Sequence, residues 1–238
     1  MTANLVLLHG WGYRPNVWQP LIDRLPGYSI QTPALSPQTP DIAVWADELA
    51  ATLPEHSVLI GWSLGAMLAL SLAQRHPEKL AGLFLIGASP CFVALEEWEH
   101  GLAPAIVSQF QTDFACNTAR TLKRFLALQV MGEQDRPGLQ KILEPCLAQD
   151  EINTTALQTG LQILAATDLR RKLPTQPIPC TLLHGAQDAL MPLAAAQYLH
   201  AHLPSSRLIV EDNAGHAPLF AKPEALAALI HEVCLAAS

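Results

Sequence analysis

The sequence predicts an α/β chain built on a mostly parallel central sheet flanked by helices, with a helical segment inserted after the strand that ends near Ile86. Three observations carry this expectation. The apolar runs at residues 5–8, 58–60 and 80–86 are continuous rather than alternating, the pattern of strands buried on both faces. Amphipathic helical stretches separate the strand runs over residues 1–90 and again over 173–238. Between these parts, from Cys91 to about Lys172, the alternation stops and helical periodicity takes over. A chain of 238 residues can bury one large core. Residues 1–90 and 173–238 are therefore expected to form that core, and 91–172 a helical cap over the site.

Each element has a local reason. The first strand, residues 5–8, runs into His9-Gly10-Trp11-Gly12, where glycines let the backbone turn and expose its N–H groups. Asn16 is expected to cap a helix carrying Val17, Trp18, Leu21, Ile22 and Leu25. Residues 28–32 read as a strand, and 33–40 as a rigid loop whose three prolines forbid regular pairing. Asp41 caps the next helix, which places Ile42, Trp45, Leu49 and Leu53 on one face and stops at Pro54. Residues 58–60 form a strand, 66–73 a helix apolar all round, and 80–86 another strand. In the inserted segment Ile106, Val107, Phe110 and Phe114 recur at helical spacing. So do Leu122, Phe125, Leu126 and Leu128, and then Leu157, Leu161 and Leu164. Alternation resumes with a strand at 180–185, an alanine-rich helix at 193–202 and a strand at 207–210. Pro223 then opens a final helix, with Leu226, Leu229, Ile230 and Val233 inward.

Bulk properties narrow the class. Half of the residues are hydrophobic and 15% are charged, as in a globular protein, and no run of 18 apolar residues suggests a membrane span. The N-terminal apolar stretch is too short for a signal sequence and lacks a basic flank. Five cysteines, an odd and scattered set without metal-like spacing, suit a reduced, cytoplasmic protein. A net charge of -7 argues against general nucleic-acid binding.

Gly61-Trp62-Ser63-Leu64-Gly65 joins a strand to a helix with no intervening loop. So tight a corner forces its middle residue into a strained conformation, and small residues two before and two after let the backbones pass. The corner lifts the Ser63 hydroxyl above the sheet, at the positive end of the helix. This is the nucleophile elbow of an α/β-hydrolase fold. The pentapeptide alone arises often by chance as a turn serine, and its specificity comes from the strand and helix around it.

A serine hydroxyl needs a base to take its proton, and the base needs a carboxylate to orient it. In this fold the chain order is Ser, acid, His. Asp188 follows the strand at 180–185, and His216 follows the strand at 207–210. Both lie just past the carboxyl ends of strands, where open parallel sheets place their chemistry. Ser63 is thus the expected nucleophile, His216 the general base and then acid, and Asp188 its orienter. Glu211 and Asp212 are rival acids, but they sit on the histidine's own approach. The Trp11 and Leu64 backbone amides are expected to hold the oxyanion. His184 is expected to be buried and structural. His56, His76, His100, His200, His202 and His231 are expected to face solvent. No metal and no cofactor are expected.

Taken together these features resemble the pimeloyl-[acyl-carrier protein] methyl ester esterase family, carboxylesterases of the biotin pathway. The resemblance rests on residues 7–12 (LLHGWG), 61–65 (GWSLG), 89–92 (SPCF) and 124–129 (RFLALQ) with Met131-Gly132. It also includes Gly160-Leu161, Asp168-Leu169-Arg170 and Ala217-Pro218, and it spans almost the whole chain. The stretch 124–129 is the more specific part, because caps vary freely. The resemblance implies hydrolysis of a methyl ester on a pimeloyl chain, thioester-linked to acyl-carrier protein, to carboxylate and methanol. It also implies an acyl channel lined by Phe125, Leu126, Ala127, Leu128 and Gln129, and basic cap residues that meet the acidic carrier. Arg120, Lys123 and Arg124 fall on one helix face, with no acid between Phe114 and Gly132. A positive patch on an acidic protein suits an acidic partner, although a solvated helix face has the same pattern. Arg136 and Lys141 extend the patch.

The chain departs from the family pattern in three places. It starts almost at the strand 5–8, without the usual hairpin before it, so a sheet short of the family's full strand count is expected. Proline replaces the usual Asp and glycines in the loop 33–40, and Ala66 replaces a frequent glycine. The expected partners are acyl-carrier protein and small-molecule esters, with no nucleic acid and no membrane, and the chain is expected to be a monomer. Two alternatives are a general short-chain acyl esterase or a related C–C hydrolase or lyase on the same scaffold. A non-catalytic hydrolase-like binding protein is the third.

Overall fold

The computed structural model describes residues 4–148 and 154–237. Its sheet has six strands: β1 (Asn4–Leu8), β2 (Ser29–Gln31), β3 (Ser57–Trp62), β4 (Leu80–Ile86), β5 (Cys180–Gly185) and β6 (Ser206–Glu211). They run in the order β2-β1-β3-β4-β5-β6, and every neighbouring pair is parallel. The helices are α1 (Gln19–Ile22), α2 (Ile42–Ala50), α3 (Leu64–Arg75), α4 (Pro104–Cys116), α5 (Thr118–Gln129), α6 (Arg136–Leu143), α7 (Thr154–Ala166), α8 (Leu193–His202) and α9 (Pro223–Ala236).

Side chains alternate across the sheet and build a core on each face. Val6, Leu8, Leu59, Leu83, Leu85 and Leu182 face α2, α3 and α8. Leu5, Leu7, Val58, Ile60, Phe84 and Leu183 face the opposite way, toward Trp18 and α9. β3 and β5 are buried at every residue, which is why their sequences lack a polar alternation. The chain leaves β1 toward β2 on one side, then crosses back to β3 on the other. The loops after β1 and β3 therefore lie side by side at the carboxyl ends of the strands, and residues of both line a crevice there.

Four of the helices, α4 to α7, lie between β4 and β5 in the chain, in the stretch 91–172; residues 149–153 of that stretch fall outside the described residues. Among the described residues no helix is long and apolar enough to cross a membrane.

Several local expectations differ from what is found. Asn16 is not a cap: a 3-10 turn, Pro15–Trp18, begins after Arg14, and α1 follows as a separate short helix. Pro15 sets the first helical φ one residue earlier, and Pro20 lacks the N–H that a continuous α-helix would need. Asp41 does cap α2, accepting the Ala43 N–H at 2.8 Å. Ile106 lies on the outside of α4, 57% exposed, whereas Val107 and Phe114 are buried. Five of the six histidines expected at the surface are exposed; His76 is half-buried and pairs with Asp47 at 2.7 Å.

Candidate active site

Ser63 sits between the last residue of β3 and the first of α3, with φ 58° and ψ -117°. A non-glycine residue at such a φ is strained by roughly 1–3 kcal/mol and persists only where its surroundings hold it. Here the Ser63 N–H donates to the Ile86 carbonyl at 2.9 Å, and the flanking glycines are close to other backbone. A Cβ on Gly61 would lie 2.6 Å from the Gly65 carbonyl oxygen, and one on Gly65 would lie 2.2 Å from that of Leu8. Neither position has room for any other residue.

The loops after β5 and β6 bring Asp188 and His216 together. Asp188 Oδ1 accepts the Leu190 and Met191 N–H groups at 2.8 and 2.9 Å, and Oδ2 lies 2.7 Å from His216 Nδ1. Both side chains are fully buried. Burial pushes the Asp188 carboxyl up, but the His216 charge and hydrogen bond, with His184 and the Met191 N–H, outweigh it and hold the carboxyl below its ordinary value. Asp188 is the only carboxylate hydrogen-bonded to His216 among the described residues. Glu211 and Asp212 contribute backbone carbonyls to Ala186 N–H and the Gln187 side chain instead.

With Nδ1 facing Asp188, the other ring nitrogen of His216, Nε2, is buried and has no hydrogen-bond partner. The ring and the elbow meet at the end of β4. Ser63 is bonded to Ile86, and a Cβ on the next residue, Gly87, would lie 3.1 Å from His216 Nδ1 and Cε1. The rear of the histidine loop is anchored by Trp62, whose Nε1 donates to the His216 carbonyl at 2.8 Å.

Trp11 and Leu64 face the same crevice, lining a small cleft with Leu35 and Pro37 of the proline-rich loop. Neither the Trp11 nor the Leu64 backbone N–H donates to a protein acceptor among the described residues. The Trp11 indole is clamped: Nε1 donates to the Leu157 carbonyl at 2.8 Å, and Phe110, Phe114 and Phe125 meet the ring edge-on at 5.6, 5.3 and 5.0 Å. These contacts join the first loop of the sheet to α4, α5 and α7.

Beside this clamp is an apolar pocket lined by Phe92, Val107, Phe110, Phe125, Leu128 and Leu190, among others. Leu190 is two residues from Asp188, so the pocket adjoins the polar site. Of the run 125–129, only Phe125 and Leu128 line it, because helical spacing puts residues three apart on one face. Leu126 packs into the core on the other side, and Ala127 is exposed. Gln129 is wholly buried; its Oε1 accepts from the Tyr13 hydroxyl, and its carbonyl accepts the His216 N–H at 3.2 Å.

Arg120, Lys123 and Arg124 are all exposed on α5. The patch is less free than the charge pattern implies. Asp113, one residue before the acid-free stretch, reaches across from α4 to bond Arg124 Nη1 at 2.8 Å. Tyr13, Trp62 and Glu133 were not marked by the sequence as parts of this site. Their neighbours in the motifs, Gly12, Ser63 and Gly132, are the nearest signal.

Comparison with known proteins agrees with this architecture. The family model described as alpha/beta hydrolase fold matches residues 3–223. A pimeloyl-[acyl-carrier protein] methyl ester esterase from Aromatoleum aromaticum is 46% identical, with 97% of each chain covered. One from Aeromonas hydrophila is 36% identical, covering 93% of this chain and 91% of its own. Among solved structures, an esterase from Exiguobacterium antarcticum superposes with a TM-score of 0.82 at 21% identity, over 97% of this chain and 91% of its own. A 2-hydroxy-6-oxo-6-phenylhexa-2,4-dienoate hydrolase from Rhodococcus gives 0.76 at 21% identity, over 98% and 90%. At such identities the structural likeness speaks for the fold alone. The chain belongs to the α/β-hydrolase superfamily and, within it, to the pimeloyl-[acyl-carrier protein] methyl ester esterase family, and it is a carboxylic ester hydrolase.

Proposed function

We propose that the chain hydrolyses the methyl ester of pimeloyl-[acyl-carrier protein], releasing methanol and the carrier-bound acid for biotin synthesis. Ser63 is the nucleophile, His216 the base and Asp188 its orienter. The observation that carries the chemistry is the buried contact of Asp188 Oδ2 with His216 Nδ1, which leaves Nε2 buried and unpartnered, on a ring packed at the end of β4 where the strained Ser63 is also bonded. The substrate rests on the 46% identity to the Aromatoleum esterase.

In this reading His216 Nε2 takes the Ser63 proton as Oγ attacks the ester carbonyl. The tetrahedral oxygen gains its charge against the Trp11 and Leu64 N–H groups, which need no reorganisation to receive it. The imidazolium, held by Asp188, gives its proton to the departing methoxide, and methanol leaves an acyl-Ser63. Water then attacks the acyl carbonyl, again losing a proton to Nε2. Ser63 regains that proton as the carboxylic acid departs and ionises. The segment 91–172 acts as the cap, and the apolar pocket with Phe125 and Leu128 takes the methylene chain. Leu126, Ala127 and Gln129 support that wall from behind or beside it. Arg120, Lys123 and Arg124 receive the acidic carrier, with Arg120 and Lys123 weighted above the Asp113-paired Arg124. The protein works as a cytoplasmic monomer.

Two experiments test this. The gene should restore growth without biotin to a cell lacking its own esterase of this kind, and its Ser63→Ala form should not. Charge reversal of Arg120, Lys123 and Arg124 should cripple turnover of carrier-bound ester and spare p-nitrophenyl butyrate. Equal effects on both substrates favour a general short-chain esterase.

A further inference from the structure

The stretch that leaves α5 is sewn to the loop that carries His216. The His216 N–H donates to the Gln129 carbonyl at 3.2 Å, the Gln134 N–H to the Asn213 carbonyl at 3.2 Å, and the Gly215 N–H to Glu133 Oε1 at 2.8 Å. Only the last of these bonds runs through a side chain. Gly215 and His216 are both buried, and a buried N–H that loses its acceptor is costly.

Glu133 itself is half-buried. Burial pushes its carboxyl above the ordinary glutamate value; the Gly215 N–H and Lys222 oppose the rise, while Glu211 and Asp188 add to it. The chain thus keeps a carboxylate where desolvation and two like charges disfavour it. The bond it makes there acts on the Ala214–Gly215 peptide, one before the peptide that enters His216, whose own N–H is held by the Gln129 carbonyl. The far side of that residue is already fixed, because Trp62 Nε1 holds the His216 carbonyl.

We propose that Glu133 is a positioning residue for the ester hydrolysis: by accepting the Gly215 N–H it fixes the Ala214–Gly215 peptide, one before the peptide that enters His216, and so steadies the course of the chain into His216 and the direction of Nε2 toward Ser63. The inference rests on His216 being the base. It makes the stretch just after α5, in the segment that receives the acyl chain, a support of the loop that carries the catalytic imidazole. Glu133 touches no reacting atom, so its effect is read in kcat.

The test is a series at one position, in the full chain, with p-nitrophenyl butyrate as substrate. Glu133→Gln keeps an acceptor oxygen at the same reach without the charge, Glu133→Asp keeps the charge one methylene short, and Glu133→Ala removes both. Glu133→Gln should keep kcat within about twofold of the parent chain. Glu133→Asp and Glu133→Ala should lose about tenfold or more in kcat, with KM changed less than about twofold, as small displacements of a catalytic group do. Should the Ala form fail to fold, the Gln and Asp pair decides the matter. A folded Glu133→Asp form with parental kcat, a Gln form as slow as the Asp form, or a change in KM alone overturns the proposal. His216→Ala in the same assay separates the two levels. If it turns over, the base assignment fails. If it is dead while Glu133→Asp is unimpaired, only the positioning role fails.

Discussion

Replacing Asp188 by Asn keeps the shape of the side chain but exchanges one carboxylate oxygen for an NH2 group and removes the charge that faces His216. Oδ1 of Asp188 must remain an acceptor, because two backbone N–H groups, of Leu190 and Met191, point at it from 2.8 and 2.9 Å. The carboxamide oxygen takes that place, and its NH2 group is left facing His216 Nδ1, which Oδ2 now meets at 2.7 Å. A donor there turns Nδ1 into an acceptor and moves the ring proton to Nε2. The nitrogen assigned to receive the Ser63 proton then has no lone pair for it. In a Ser-His-Asp site this exchange costs about 10⁴ in kcat, or roughly 5.5 kcal/mol of barrier. Steady-state hydrolysis of p-nitrophenyl butyrate measures the effect, and a thermal melt shows that the backbone bonds survive. The expected result is a kcat lower by about 10³–10⁴, with KM nearly unchanged and Tm within a few degrees. A folded Asp188→Asn chain that loses less than about tenfold refutes the role given to Asp188.

Other outcomes follow from the same structure. Burial lowers the His9 pKa to about 4, against a smaller opposing pull from the Gly10 carbonyl. Folded His9 is therefore neutral where the unfolded residue is protonated. Its contribution is complete above about pH 6.5 and is lost as pH falls toward 4, a change of about 3 kcal/mol; the urea midpoint should fall over that window, and less steeply in His9→Gln. Trp11→Phe keeps an aromatic ring among Phe110, Phe114 and Phe125 but leaves the Leu157 carbonyl without its donor. It should cost about 1–2 kcal/mol and lower the hydrogen-exchange protection of α7. Cys116 is the one exposed thiol, while burial raises Cys91 to about 11 and Cys180 to about 12 and also raises Cys146 and Cys234. Native protein should show one fast thiol equivalent toward a disulfide reagent, and all five only after unfolding.

The parts of this molecule legible in the sequence are those governed by short-range chemistry. The strand Leu80–Ile86 and the helix Leu193–His202 begin and end where apolar runs, proline and alanine content say they should. The elbow was legible because a strand, a tight corner and a helix are consecutive, and Ser63 has the strained φ that such a corner demands. What the sequence concealed depends on contacts between distant residues. Asp113 lies just beyond the acid-free stretch in sequence but reaches the basic face in space. The run 125–129 is contiguous, yet a helix sends its residues to a pocket, a core and solvent in turn. Asn16 has the chemistry of a cap, but two prolines decide where that helix can start and stop. Glu133 carries no motif at all; its partner Gly215 is brought to it only when the loops after α5 and β6 close on each other.

Methanol release from purified pimeloyl-carrier methyl ester, followed alongside the mass of the carrier, reads both the substrate and the nucleophile in one assay. The expected result is one methanol for each ester lost, a carrier lighter by one methylene, and a drop on the order of 10⁴-fold or more in Ser63→Ala. A Ser63→Ala chain that turns over at the parental rate contradicts the mechanism. A parental chain that cleaves p-nitrophenyl butyrate but releases no methanol from the carrier-bound ester contradicts the substrate.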